Sequence, residues 1–294
     1  MAGSPNPGHG RAPRVAVVGS LNLDLIARVA REPKPGETVL AEAFGEDPGG
    51  KGLNQAVAAA RIASTALIGA VGRDDAGRTL LDFARRHDVD VDSVVASDQA
   101  TGRALITLLP DGENTIVVAA LANAGVTAAD VRAKLDETSP TVVLVQFEIP
   151  ADAVAAAADW VASADARLVV NPSPMRDIEP AVLAAADPLI VNVGEASEIA
   201  GTDAAPTGLA QILASRCRSV VVTAGADGAV VGVREQIVEI PAPVVDEVAD
   251  SSGAGDAFAG TLGARLALGD ELVQAARAAV EEASRIVSTP RARR

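Results

Sequence analysis

TVVLVQFEIPADAVAAAADWVASADARLVVN, Thr141 to Asn171, decides the fold. It opens with a short apolar, β-branched run, continues through an alanine-rich stretch of good helix formers, and closes with a second short apolar run. A strand, a helix and a strand in that order place two parallel strands side by side with the helix crossing over them. The rhythm continues downstream with PLIVN at 188–192, short helical segments, SVVVTAG at 219–225, the strands GAVVGV at 228–233 and QIVEI at 236–240, and helices to the C-terminus. Upstream, VAVVG from Val15 to Gly19 reads as the first core strand. It is followed by a helical pattern from Gly52 through LNQAVAAARI, the strand STALIGAVG, and a helix from about Ala76 to Arg86. Such alternation predicts an α/β fold with a doubly wound, mostly parallel sheet flanked by helices.

Composition agrees with this architecture. Hydrophobic residues make up 49% of the 294-residue chain and aromatics only 2%, so the interior is built from Ala, Val, Leu and Ile. That suits helices packed on a buried parallel sheet. The formal net charge of -14 gives no general attraction to nucleic acid or to an anionic membrane, so any phosphate must be held by local features. The single cysteine, Cys217, excludes an intramolecular disulfide and reads as a small core residue. His9 and His87 have no partner at metal-ligand spacing. The stretch MAGSPNPGHGRAP, residues 1–13, reads as a disordered tail ahead of a single domain over 14–294. No apolar run approaches the ~18 residues of a membrane span, and the expected location is the cytoplasm.

A second, smaller β unit is expected outside this rhythm. LNLDLIARVA at 21–30 and the segment at 37–45 are separated by the turn cluster EPKPG. RALITLLP and NTIVVAAL, with lid strands expected over about 103–120, flank Asp111-Gly112, a dipeptide suited to positive φ. Together these strands form a small β-sheet lid.

The strongest chemical signal is DSSGAGDAF, Asp250 to Phe258, placed where a helical pattern starts near Ala254. Small residues allow close approach to a ligand, and the amides of Gly253, Ala254 and Gly255 at a helix N-terminus form an anion hole. A second glycine cluster, Gly49-Gly50-Lys51-Gly52, precedes Asn54, and Asn22 and Asp24 share one face of a strand.

The segments GSLNLD, PGGKGLNQAVAAAR, TGRALI, QFEIP, NPSP and DSSGAGDAF stand in an order and spacing that resemble the ribokinase family of PfkB-type carbohydrate kinases, from Val15 to about Ala279. The resemblance implies a ribokinase-like fold whose lid closes over a sugar, and ATP-dependent phosphorylation of a sugar hydroxyl. The Gly-Gly-Lys-Gly-x-Asn-Gln-Ala run favours D-ribose. It implies further that Asn22, Asp24, Gly50, Lys51, Asn54 and Glu148 hold the sugar, a donor set able to pair several hydroxyls at once. Asp256 is then the general base, and the Gly253-Ala254-Gly255 amides steady the transferring group. Asn192 and Glu195 fall near the nucleotide phosphates and Mg²⁺, Thr223, Gly225 and Gly228 beside the purine-ribose end, and Gly255 at the phosphates. Asp250 and Ser251 supply part of a monovalent-cation site for K⁺, and relatives dimerise through the lid.

The chain departs from the family pattern at two places. Val193-Gly194 replaces a polar pair beside Glu195, which implies metal binding that is weaker or bridged by water. The ending VSTPRARR lacks the usual small-residue turn, and Glu281 and Glu282 stand where small apolar residues are usual, so altered adenine packing and a flat response to K⁺ are expected. Open alternatives are a deoxyribose, fructose, tagatose-phosphate or nucleoside kinase, or a non-catalytic sugar or nucleotide sensor. A dinucleotide-dependent oxidoreductase is excluded because no G-x-G-x-x-G follows the first strand.

Overall fold

The computed structural model describes residues 14–110, 112–245, 250 and 252–289. The tail 1–13, Asp111 of the expected hairpin turn, Ser251 and residues 290–294 lie outside the described residues. The strands are β1 (Val15–Val18), β2 (Asn22–Arg28), β3 (Ala43–Gly49), β4 (Thr65–Gly72), β5 (Val89–Asp90), β6 (Val94–Ser97) and β7 (Gly102–Leu108). They continue as β8 (Asn114–Ala119), β9 (Val142–Gln146), β10 (Arg167–Asn171), β11 (Ala186–Asn192), β12 (Val220–Thr223), β13 (Ala229–Val233) and β14 (Gln236–Ile240). The helices are α1 (Lys51–Ala60), α2 (Asp75–Arg86), α3 (Ala128–Thr138), α4 (Ala151–Ser163) and α5 (Pro180–Ala185). After these come α6 (Val193–Ala200), α7 (Pro206–Ala214), α8 (Ala254–Ala267) and α9 (Leu272–Val287).

The large sheet has the order β14-β13-β12-β11-β10-β9-β1-β4-β5, with β6 pairing β4. Pairing is parallel from β12 across to β5 and antiparallel only among β12, β13 and β14. Alternate residues of one strand serve opposite cores. Val15 and Val17 pack with Leu53 and Leu262, whereas Ala16 and Val18 pack with Leu135 and Val154. Helices therefore cover both faces, which explains why β1 and β4 read as continuous apolar runs. Because β1 lies between β4 and β9, the chain leaves β1 on one side and returns on the other. That reversal opens a crevice at the C-terminal strand ends, where ligands bind in open α/β sheets. Among the described residues, no helix is long and apolar enough to cross a membrane.

The lid is a separate sheet of order β3-β2-β7-β8. Its central pair, β2 and β7, is parallel although the strands are distant in sequence. β7 and β8 form the expected hairpin, closed by Gly112 at φ +89. One lid strand lies elsewhere than expected: β3 occupies Ala43–Gly49 and not 37–45. Residues 37–42 alternate in polarity but pair with nothing as a strand, whereas 43–49 run antiparallel to β2 from Arg28↔Ala43 to Asn22↔Gly49. Pro48 and the glycines disguise this segment, and they are tolerated because β3 is an edge. α3 and the short β5 and β6 were also not signalled by the sequence. VTAADVRAKLDET carries few apolar positions, and its clearest mark is the cap in which Thr127 Oγ1 accepts the Asp130 N–H at 3.1 Å.

Asp74 ties the lid to the helical body. Its carboxylate caps α2 by accepting the Gly77 N–H at 2.8 Å, and it accepts the Thr101 hydroxyl at 2.5 Å and the Thr101 N–H at 2.9 Å, just before β7. Burial pushes its pKa up, but these hydrogen bonds and the nearby Arg103 charge outweigh burial and hold it below the usual range. Cys217 packs against the core, where burial first and the Asp187 carboxylate second push its thiol up to about 12. It is an inert residue in the folded protein.

Candidate active site

The site is assembled at the C-terminal ends of the parallel strands. Immediately after β1, Gly19 and Ser20 lie against the start of α1 so closely that a Cβ on Gly52 would overlap the Gly19-Ser20 backbone. The Leu53 N–H donates to the Ser20 carbonyl at 2.9 Å and the Gly52 N–H to Ser20 Oγ at 3.3 Å. Gly50 caps α1 at φ +93, and a side chain there would meet the Asn22 nitrogen at 2.7 Å. The Gly-Gly-Lys-Gly run thus brings a helix start onto a strand end, a contact no larger residue permits.

Glu148, just beyond β9, is held by this junction. Its Oε2 accepts the Ser20 hydroxyl at 2.5 Å, the Lys51 N–H at 3.1 Å and the Asn22 amide at 3.3 Å. Oε1 has no protein partner among the described residues. Asn22 is only 1% exposed, and its Oδ1 accepts from Asn123 Nδ2 at 2.8 Å. Its side chain is therefore enclosed and steadies Glu148 from behind. Asp24, two residues along the same face of β2, lays its carboxylate over Gly49, where any Cβ would collide with it.

The other half of the site is the start of α8. Gly253 is the N-cap at φ 76 with no side-chain cap. The first helical bond runs from the Ala257 N–H to the Gly253 carbonyl at 2.9 Å, so among the described residues nothing accepts the N–H groups of Ala254, Gly255 and Asp256. A Cβ on Gly253 or Gly255 would meet no atom of the described residues within 4 Å. Asp256 is 9% exposed and takes one amide donor on each oxygen, Asn54 Nδ2 on Oδ2 at 3.0 Å and Gln55 Nε2 on Oδ1 at 2.9 Å.

A cleft of about 180 Å³ joins the two halves, with Lys51, Asn192, Glu195, Thr223, Gly255 and Asp256 in its wall. Lys51, at the start of α1, and Asp256 thus line one space. Asn192 and Glu195 form a capping box at α6: Asn192 Oδ1 accepts the Glu195 N–H and Glu195 Oε2 accepts the Asn192 N–H, both at 2.9 Å. Among the described residues the other Glu195 oxygen has no partner, and Glu195 lines the cleft. Lys51 and Asp256 line this cleft, and Glu148 is joined to it through the Lys51 N–H. Such a site suits a neutral polyol, and leaves Lys51 and the bare end of α8 as its means of attracting phosphate.

Some expected residues are placed differently. Gly228 is buried away from the cleft, and its missing Cβ avoids the Ile240 carbonyl and the chain after β14, so a tight turn of the sheet accounts for it. Gly225, at φ +59, lies exposed beyond Thr223. Asp250 is placed with its Oδ1 accepting the Ser252 N–H at 2.8 Å, while Ser251 is outside the described residues. Glu281 and Glu282 do not line the Asp256 cleft. They lie on α9 facing α1, where Glu282 bonds Arg285 at 2.6 Å and Arg61 at 3.3 Å. A larger cleft of about 460 Å³ opens on the far side of Asn54, but neither Lys51 nor Asp256 lines it. Among the described residues no three His, Cys, Asp or Glu gather as a protein-only metal cage would need.

The residues missed by sequence reasoning are the supports. Ser20 and Asn123 brace Glu148 and Asn22, while Gln55, Gln146 and Asn171 stand behind Asp256. A signal existed: Gln55 and Gln146 are polar residues inside otherwise apolar runs, LNQAVAAA and TVVLVQF. A buried polar side chain in such a run must find partners.

Known proteins resemble this chain over most of its length. A family profile described as pfkB family carbohydrate kinase matches residues 12–294. The ribokinase of Lactococcus lactis subsp. lactis (strain IL1403) is 34% identical over 251 residues, covering 84% of this chain and 81% of that protein. The ribokinase of Mus musculus is 34% identical over 282 residues, covering 91% and 87%. The structure of Arabidopsis thaliana ribokinase complexed with ribose and ATP superposes with a TM-score of 0.85 at 27% identity, covering 95% of this chain and 94% of that one.

Proposed function

This chain belongs to the pfkB family of carbohydrate kinases, and from that membership we propose that it transfers the γ-phosphoryl group of ATP to the 5-hydroxyl of D-ribose. The observation that carries the reading is the shared cleft. Asp256, Gly255 and Lys51 line one space, the N–H groups of Ala254 and Gly255 have no acceptor among the described residues, and in this reading Glu148, which accepts the Lys51 N–H, stands on the sugar side with Asp24.

In this reading Asp24 and Glu148 Oε1 accept sugar hydroxyls, while Lys51 and Asn54 donate to sugar oxygens and orient the reacting alcohol toward Asp256. Asp256 takes the proton of that alcohol as its oxygen attacks the γ-phosphorus of ATP, and the bond from that phosphorus to the β,γ-bridging oxygen breaks to release ADP. The amides of Ala254 and Gly255 stabilise charge on the equatorial oxygens, which carry most of it in a loose phosphoryl-transfer transition state. Asn192 and Thr223 line the nucleotide side, with Gly225 beyond them. Mg²⁺, when bound, neutralises phosphate charge. Glu195 fits it through water, having one free oxygen at the cleft, and Mg²⁺ sites built from few carboxylates plus phosphates are common. Asp250 is the described half of a K⁺ site.

The lid supports a further part of this reading, a homodimer formed through its outer surface. Phe44, Leu105 and Val117, which the register puts on one face of the lid, are 64%, 51% and 64% exposed, an apolar surface that pairing of two lids would cover. Light scattering at micromolar concentration is expected to give twice the 29.6 kDa chain mass, and a monomer mass refutes the pairing.

Release of ADP, measured in a coupled assay over pentoses, hexoses and nucleosides, tests the substrate. D-ribose is expected to give the highest kcat/KM. A higher value for deoxyribose, fructose or adenosine moves the chain to that substrate, and binding without turnover of any sugar makes it a sensor.

A further inference from the structure

We infer that Gln55 is a positioning residue that aims the Asp256 carboxylate, through a buried amide relay anchored on two strand ends. The inference rests on Asp256 being the base. Gln55 is fully buried, at 0% exposure, and so does not touch the sugar. Its Nε2 donates to Asp256 Oδ1 at 2.9 Å and to Asn171 Oδ1 at 3.1 Å, while its Oε1 accepts Gln146 Nε2 at 2.6 Å. Asn171, the last residue of β10, is itself fixed by donating to the Ile190 carbonyl of β11 at 3.2 Å. Gln146 is the last residue of β9 and is also fully buried.

The order of donors determines what Gln55 offers. Because Gln146 donates to Gln55 Oε1, the remaining end of the Gln55 amide is its NH₂ group, and both of those hydrogens have acceptors. Reversing Gln55 would set its oxygen against the Asp256 carboxylate and against Asn171 Oδ1, two repulsive contacts in a site closed to water. The relay therefore has one polarity, ending in a donor on Asp256. The two amides on Asp256 differ in kind. Asn54 is half-buried and lines the larger cleft, and in the proposed reading a sugar oxygen competes for its NH₂ group, whereas Gln55 is fully buried and out of reach of substrate. When Asn54 turns to the sugar, Gln55 is the contact left to hold the rotamer of the base, and small misplacements of a reacting group cost large factors in rate.

Gln55→Met keeps the length but removes the donor, and Gln55→Met/Gln146→Met replaces both relay amides with apolar groups of similar shape, which preserves folding better than a single change. Both are expected to lower kcat about 10- to 100-fold with the sugar KM within about threefold. In an Asp256→Asn background the same changes are expected to cost less than about twofold, because the group they aim is already gone. A purely structural role predicts the same factor in both backgrounds, and recovery of turnover along with thermal stability in the paired variant. Either result overturns the inference, as does wild-type kcat in Gln55→Met. Wild-type turnover by Asp256→Asn alone would instead remove Asp256 as the base, so the two failures are distinguishable.

Discussion

Purified Asp256→Asn protein is expected to lose about 10² to 10⁴ in kcat, with the KM for sugar held within about threefold. Asparagine keeps the size of the side chain and an oxygen for one amide donor, so the junction of α1 and α8 stays assembled. It cannot take a proton, and its NH₂ group now confronts Asn54 Nδ2 or Gln55 Nε2, both of which are donors at 3.0 and 2.9 Å in the native protein. The loss stops short of total because the α8 amides, Lys51 and substrate alignment remain, and positioning with electrostatics carries most of phosphoryl-transfer catalysis. Steady-state kinetics on protein with an unchanged melting temperature decide the matter. An unaltered kcat would sink the assignment of Asp256 as the base while leaving the sugar site standing.

Glu148→Ala is the second large effect, and it falls on sugar affinity. One carboxylate oxygen satisfies Ser20 Oγ, Asn22 Nδ2 and the Lys51 N–H, and the other is the acceptor offered to the sugar. Truncation removes that acceptor and strands three donors, each costing about 1 to 3 kcal/mol if it stays unpaired. Water entering the gap recovers part of this. The net expectation is a fall of about 10²- to 10³-fold in kcat/KM for the sugar, mostly through KM, equivalent to about 3 to 4 kcal/mol. The KM for ATP is expected to move less than about threefold. A rise in the ATP KM with no change in the sugar KM would place Glu148 on the wrong side of the cleft.

These two variants also separate the halves of the site. Asp256 sits on α8 and Glu148 follows β9, and α1 links them, sending Asn54 to one and the Lys51 N–H to the other. α1 is thus the shared frame, and the glycines at its start let it approach β1. This makes the Gly-Gly-Lys-Gly run a packing device as well as a ligand loop.

The sequence by itself determined the layering, the parallel sheet, the hairpin of the lid, and the two glycine-rich helix starts where chemistry gathers. Those features are written in short stretches: the period of apolar residues, the turn-forming dipeptide at 111–112, and glycines whose missing side chains permit one close contact. Tertiary structure alone decided which strand of the lid runs beside β2, that Asn22 is enclosed, that Glu282 is neutralised by Arg61 and Arg285, and that Gly228 serves the sheet. It also decided the relay behind the base. Asn54 and Asp256 are 202 residues apart, Gln55 and Asn171 are 116 apart, and Gln55 and Gln146 are 91 apart. Such pairs have no local pattern to announce them, because their distance is set by strand order and by how α1 and α8 pack on the sheet.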